Sequence, residues 1–154
     1  MSRLSRTARD TAWRLRALRE LRSVREFALF VYLSVFAAAV PLLMRLPLPR
    51  LAGLVTRPVR GTASAPGTVE RLATLTGLAV RLAHPLVRTG CLTRGVTLFW
   101  FLRRAGNDVE LVFGLDAARS DGHCWLVHHG EPILEKEDPR ERFGELYRLP
   151  LVAA

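Results

Sequence analysis

The spacing of apolar residues changes character several times along the chain. Over residues 4–25, Leu4, Ala8, Ala12, Leu15, Leu18 and Leu21 recur mostly every three or four positions with arginines between them, which predicts a basic amphipathic helix. From Phe27 to Met44 that pattern vanishes. FALFVYLSVFAAAVPLLM is eighteen residues without a charge, at the lower limit of a bilayer span. Three readings compete for it. A spanning helix has arginines on both flanks, Arg22 and Arg25 before and Arg45 and Arg50 after, so the positive-inside rule gives a modest bias towards a cytoplasmic N-terminus. A signal peptide has Ala37-Ala38-Ala39 to offer, but the basic region ahead is too long and apolar residues continue behind. A buried or interfacial helix packs against the Leu-rich stretch that follows, and Pro41 kinks or ends it.

Pro47, Pro49 and Pro58 punctuate the next stretch, and GTASAPG at 61–67 reads as a small-residue linker between two halves. Beyond it, Val69, Leu72, Leu75, Leu78, Val80 and Leu82 form the core stripe of a helix over 69–83 capped by Thr68. CLTRGVTLFWFLRRAG then predicts a second helix with Cys91 as its first residue, Arg103 and Arg104 in its last turn and a stop at Gly106. Alternation takes over at 108–115, where Val109, Leu111, Phe113 and Leu115 mark a half-buried strand. GHCWLVH at 122–128 and EPILE at 131–135 follow as a hairpin turning at His129-Gly130. From Cys91 onward the pattern predicts a helix followed by three strands.

Length and charge sharpen this picture. A chain of 154 residues builds one core with attachments more readily than two independent cores. Its net charge of +9 is placed unevenly: residues 1–60 carry twelve arginines against three acidic residues, while 61–154 has eleven of each sign. The basic surface therefore belongs to the N-terminal part. It adjoins an apolar run and lacks the interleaved aromatics that stack on bases, which argues against nucleic acid as partner. Two cysteines without C-x-x-C spacing are too few for a disulfide framework or a zinc ribbon, and a reducing cytoplasm is the default compartment.

The candidate chemistry follows from where the cysteines and histidines fall. A helix N-terminus lowers a thiol's pKa through its dipole and free N–H groups, and Cys91 occupies such a place. Cys124 is mid-strand and reads as a small core residue. Neighbours in a strand point to opposite faces, so the adjacent His123 and Cys124 cannot form a dyad without a bulge, and Cys91 is expected on the His123 side. An imidazole base needs a carboxylate on its far nitrogen. A three- or five-residue loop centred on a left-handed Gly130 would put Glu135 on the His123 face, whereas a two-residue loop would send it to the other. A metal site from His123, Cys124, His128 and His129 would need ligands on both faces of the strand, and no metal or other cofactor is expected.

These residues resemble a known family. Cys91-Leu92-Thr93-Arg94, Leu102-Arg103-Arg104-Ala105-Gly106, the strand Val109 to Leu115, Gly122-His123-Cys124-Trp125-Leu126 and Glu135 occur in the order seen in the lasso peptide biosynthesis B2 proteins, transglutaminase-like leader peptidases. The resemblance covers about 65 residues of the C-terminal half. It implies an α+β, papain-like core with a cysteine-bearing helix on a small antiparallel sheet. On that basis residues 67–154 are the transglutaminase-like core and 1–66 a basic and hydrophobic helical N-terminal region. It further implies Cys91 as nucleophile, His123 as general base and then acid, and Glu135 as orienting carboxylate. The substrate would be a precursor peptide, the partners a separate leader-recognition protein and a ring-closing lactam synthetase. The setting would be the cytoplasm, at the inner face of the membrane if residues 27–44 associate with it. Three positions depart from the family's pattern: Cys124 stands where Ala is common, His128 where an acidic residue often follows, and Glu135 where the third residue is usually Asp.

Overall fold

Ser23 sits in extended backbone at φ −155° and its hydroxyl accepts the Glu26 N–H at 3.2 Å, so a helix begins directly behind it. The computed structural model describes residues 23–56, 67–82 and 90–150, with Leu48 and Leu82 described in backbone only. The helix expected over 4–25 and the linker at 61–67 fall almost wholly outside these residues, and His84 lies outside them. The helix that Ser23 opens, α1 (Val24–Leu43), carries Pro41 in its last turn and runs on past it to Leu43.

Of the three prolines read above as punctuation, Pro47 and Pro49 instead start a helix, and Pro58 lies outside the described residues. Pro47 is the N-cap of α2 (Leu48–Val55) and Pro49 lies in its first turn, where the missing N–H has no intrahelical partner to lose. Next, α3 (Thr68–Leu82) comes within a residue of the expected bounds at each end. The helix α4 (Cys91–Arg104) stops as expected: Gly106 is left-handed at φ 83°, and the Asn107 N–H reaches back to the Leu102 carbonyl at 3.0 Å.

Four antiparallel strands form one sheet in the order β3-β2-β1-β4, comprising β1 (Val109–Asp116), β2 (Gly122–His128), β3 (Glu131–Ile133) and β4 (Phe143–Leu149). Only three of them were expected. In β4, Tyr147 pairs with Phe113 and Glu145 with Gly114, so Leu146 is an extra residue, a bulge that breaks the two-residue period. With helices at one side and antiparallel strands at the other, the fold is α+β.

The two faces of the sheet bury different sets. Leu111, Cys124 and Leu126 turn towards α4 and join Val96, Phe99 and Leu102 of that helix, Leu75 of α3 and Leu33 and Val40 of α1 in the main core. Val112, Trp125, Val127 and Phe143 form a second cluster on the opposite face. A bidentate pair further ties α1 to α3, the Arg71 Nε and Nη2 donating to the two Glu26 carboxylate oxygens at 2.7 Å each.

Candidate active site

Cys91 is the first residue of α4 and is only partly exposed. Its N-cap is Gly90, extended and without a side chain that could cap the helix. Gly90 thus brings no side-chain oxygen of its own to the first turn of α4. One turn on, a Cβ on Gly95 would stand 3.0 Å from the Cys124 sulfur and 3.2 Å from Leu111, so glycine lets α4 lie close against β1 and β2.

That packing corrects one expectation. His123 and Cys124 do take opposite faces of β2, but α4 lies on the Cys124 face, not on that of His123. His123 stacks instead with the second cluster, its ring 5.3 Å from Phe143 and 6.2 Å from Trp125. Both residues nonetheless act on Cys91, each through a side-chain hydrogen bond. The Cys91 thiol is lowered to about 5. The largest cause is the Cys124 S–H donating to its sulfur; the Cys124 backbone N–H and His123 add to it, and partial burial works against them. Cys124 is pushed well up, first by the same hydrogen bond and then by its burial, so the proton of the pair stays on Cys124. A residue read from sequence as packing thus also has the largest effect on the thiol. Adjacency in a strand gave no sign of this, since the contact depends on how closely Gly95 lets the helix approach.

The hairpin resolves the question about Glu135 in an unexpected way. His128 pairs with Glu131, leaving a two-residue loop of His129 at φ 52° and Gly130 at φ 84°. Gly130 is left-handed as expected, but this register alone would set Glu135 opposite Cys124 and aim it at the wrong face. Leu134 corrects the aim: at φ 64° it ends β3 after Ile133 and turns the chain. Glu135 Oε2 then lies 3.3 Å from His123 Nε2, with both side chains partly exposed. Left-handed backbone at a leucine is costly by roughly 1–3 kcal/mol, and it is found here at the residue that directs the carboxylate.

Cys91, His123 and Glu135 line one open cleft of 1230 Å³, with Leu134, Arg94 and Arg142 beside them. The Arg142 guanidinium lies 4.8 Å over the Phe143 ring, the same ring that stacks on His123. His128 and His129 are away from this cleft, their rings 4.0 Å apart and tilted 38° to each other at the hairpin tip. Among the described residues no three histidines, cysteines or carboxylates stand together as a metal site. Residues 36–148 match the family described as the transglutaminase-like superfamily. No curated protein and no solved structure matches the chain.

Proposed function

Because this chain belongs to the transglutaminase-like superfamily, whose members are typically cysteine hydrolases or transferases, we propose that it is a cysteine peptidase that removes the leader from a ribosomally made, lasso-type precursor peptide. In this reading Cys91 is the nucleophile, His123 the general base and acid, and Glu135 the carboxylate that holds the imidazole. With Nε2 turned to Glu135, Nδ1 is the nitrogen left to serve Cys91. The Cys91 sulfur attacks the scissile carbonyl carbon, and the oxyanion that forms takes a hydrogen bond from the Cys91 backbone N–H at the start of α4. The C–N bond breaks as His123 hands a proton to the departing amine. Water then attacks the thioester, giving its proton to His123, and the thiolate leaves.

The observation that carries this reading is one cleft lined by all three side chains, with the His123 to Glu135 contact at 3.3 Å. At 1230 Å³ the cleft exceeds the roughly 300–1000 Å³ of a small-molecule site and suits a peptide segment. The lasso assignment rests on the order of the motifs from Cys91 to Glu135. It brings with it a separate leader-recognition protein and a lactam synthetase that closes the ring on the freed core.

The test is to incubate the full chain with a lasso precursor and its leader-binding protein and to follow the products by mass spectrometry. Cleavage to a free carboxylate is expected, abolished in Cys91→Ala and slowed about 10²–10⁴-fold in His123→Ala. A Cys91→Ala protein as active as the parent would overturn the assignment. A product whose new acyl end carries an amine would replace peptidase by acyltransferase.

A further inference from the structure

The outward face of α1 has no counterpart in the site just described. Its inward face, with Leu33, Ala37 and Val40 fully buried, belongs to the main core. Its outward face is exposed at Val24, Ala28, Val31, Val35, Ala38 and Leu42, an unbroken apolar stripe alternating four- and three-residue steps. Val35 is 63% and Leu42 65% exposed, which is unusual for side chains of this kind on a soluble protein's helix. The helix has a mean hydropathy of 2.0 because both of its faces are apolar, and among the described residues only the inner one is packed on the core.

We propose that this stripe seats the protein on an anionic lipid bilayer, with α1 lying along the interface rather than crossing it. A spanning orientation would pull Leu33, Ala37 and Val40 out of the core and break the Glu26 to Arg71 pair. The charges around the stripe select the occupant. Exposed Arg25 stands at its first turn and exposed Arg45 and Arg50 follow it, while Glu26, the acidic residue of the helix, is engaged by Arg71. A second copy of the helix would bring Arg25 against Arg25 in a parallel pair, or Arg25 against Arg45 in an antiparallel one, and either arrangement is repulsive. Anionic headgroups meet the same arginines favourably while the acyl region takes the valines. Beside the stripe, exposed Tyr32 packs edge-on against Trp100 at 5.7 Å, and Arg104 lies 4.2 Å over that indole. Such amphipathic rings with cations prefer the level of the headgroups.

Flotation of the full chain with vesicles separates the alternatives. The chain should float with vesicles of phosphatidylcholine and phosphatidylglycerol, far less with phosphatidylcholine alone, and less as salt is raised. Val31→Glu/Val35→Glu should lose binding at least about tenfold. Arg25→Gln and Arg45→Gln should each lose about fivefold, on phosphatidylglycerol vesicles only. Peptide cleavage in solution should not change in any of these variants. The proposal is overturned if the parent does not float or if Val31→Glu/Val35→Glu floats as well as the parent. It is also overturned if the parent sediments as a dimer that this variant converts to monomer, since a second copy then covers the face. A clear drop in melting temperature of the variant without lipid overturns it too, because another segment of the chain, such as residues 1–22, would then be packed on the stripe.

Discussion

Two residues set the character of the thiol, and the one that matters more is the less obvious. With Cys124 donating to it, Cys91 is lowered to about 5 from an ordinary thiol value of 9.0. Being an acid with a depressed pKa, it is thiolate above that value and gains a proton as the pH falls through it. The rate of alkylation by iodoacetamide should therefore rise between about pH 4 and 6 and stay level up to 9. In Cys124→Ala the inflection should move up towards 9.0, and in Cys124→Ser, which keeps a donor, most of the shift down should survive. An unchanged profile in Cys124→Ala would show that the helix start and His123 are enough. Leu134 offers a second test. Its left-handed backbone is what turns Glu135 to the His123 face, and a β-branched residue tolerates that conformation poorly. Leu134→Val should melt lower and lose about ten- to a hundredfold in kcat, with KM nearly unchanged, and Glu135→Gln should show the same kinetic pattern. If Leu134→Val has the parent's kcat, the carboxylate is aimed by something other than this residue.

At the scale of elements, the sequence is legible wherever one period holds. The stripe from Val69 to Leu82 and the alternation from Val109 to Leu115 gave α3 and β1 nearly to the residue. Legibility fails where a local device interrupts the period. In β4, Leu146 is an inserted residue, so Phe143, Glu145, Tyr147 and Leu149 do not alternate cleanly with outward neighbours. In α2, prolines that usually mark loops stand at the one part of a helix that accepts them. The residues of the proposed triad were legible singly, as a cysteine at a helix start, a histidine in a strand and a carboxylate after a hairpin. Their meeting was not, because it depends on the two-residue turn at His129-Gly130 and on the compensating turn at Leu134. Glycine makes a further contribution that no period reveals. A Cβ on Gly114, which pairs with His123, would come within 2.9 Å of both the Gly144 carbonyl and the Trp125 ring. Since backbone on one side and a buried indole on the other cannot both yield, Gly114→Ala should cost about 1–3 kcal/mol. Denaturant unfolding would measure this, and a loss below about 0.5 kcal/mol would mean that β4 shifts freely.

For the molecule as a whole, the question is whether α1 is an attachment or part of the catalytic unit. Its buried side chains lie in the same cluster as Phe99 and Leu102 of α4, the helix that begins with Cys91, and as Leu75 of α3. The family match likewise begins at residue 36, inside α1. A helix that shares its core with the helix of Cys91, the proposed nucleophile, cannot be exchanged for another without cost to that site. Leu33 is fully buried there, and truncating a leucine in such a position removes about 2–5 kcal/mol. In a domain with a typical stability of about 5–15 kcal/mol, that is a large share. Leu33→Ala should therefore lower the melting temperature of one transition, seen alike by far-ultraviolet circular dichroism and, in a background with Trp13 and Trp100 replaced by phenylalanine, by the fluorescence of Trp125 in the distant second cluster. Were residues 67–154 to fold independently of α1, the Trp125 signal would melt where it does in the parent while only the helical signal moved. The same variant reports on catalysis: loss of Cys91 reactivity at a temperature set by the shifted transition means that α1 supports the site through the core, besides whatever its outer face does at a membrane.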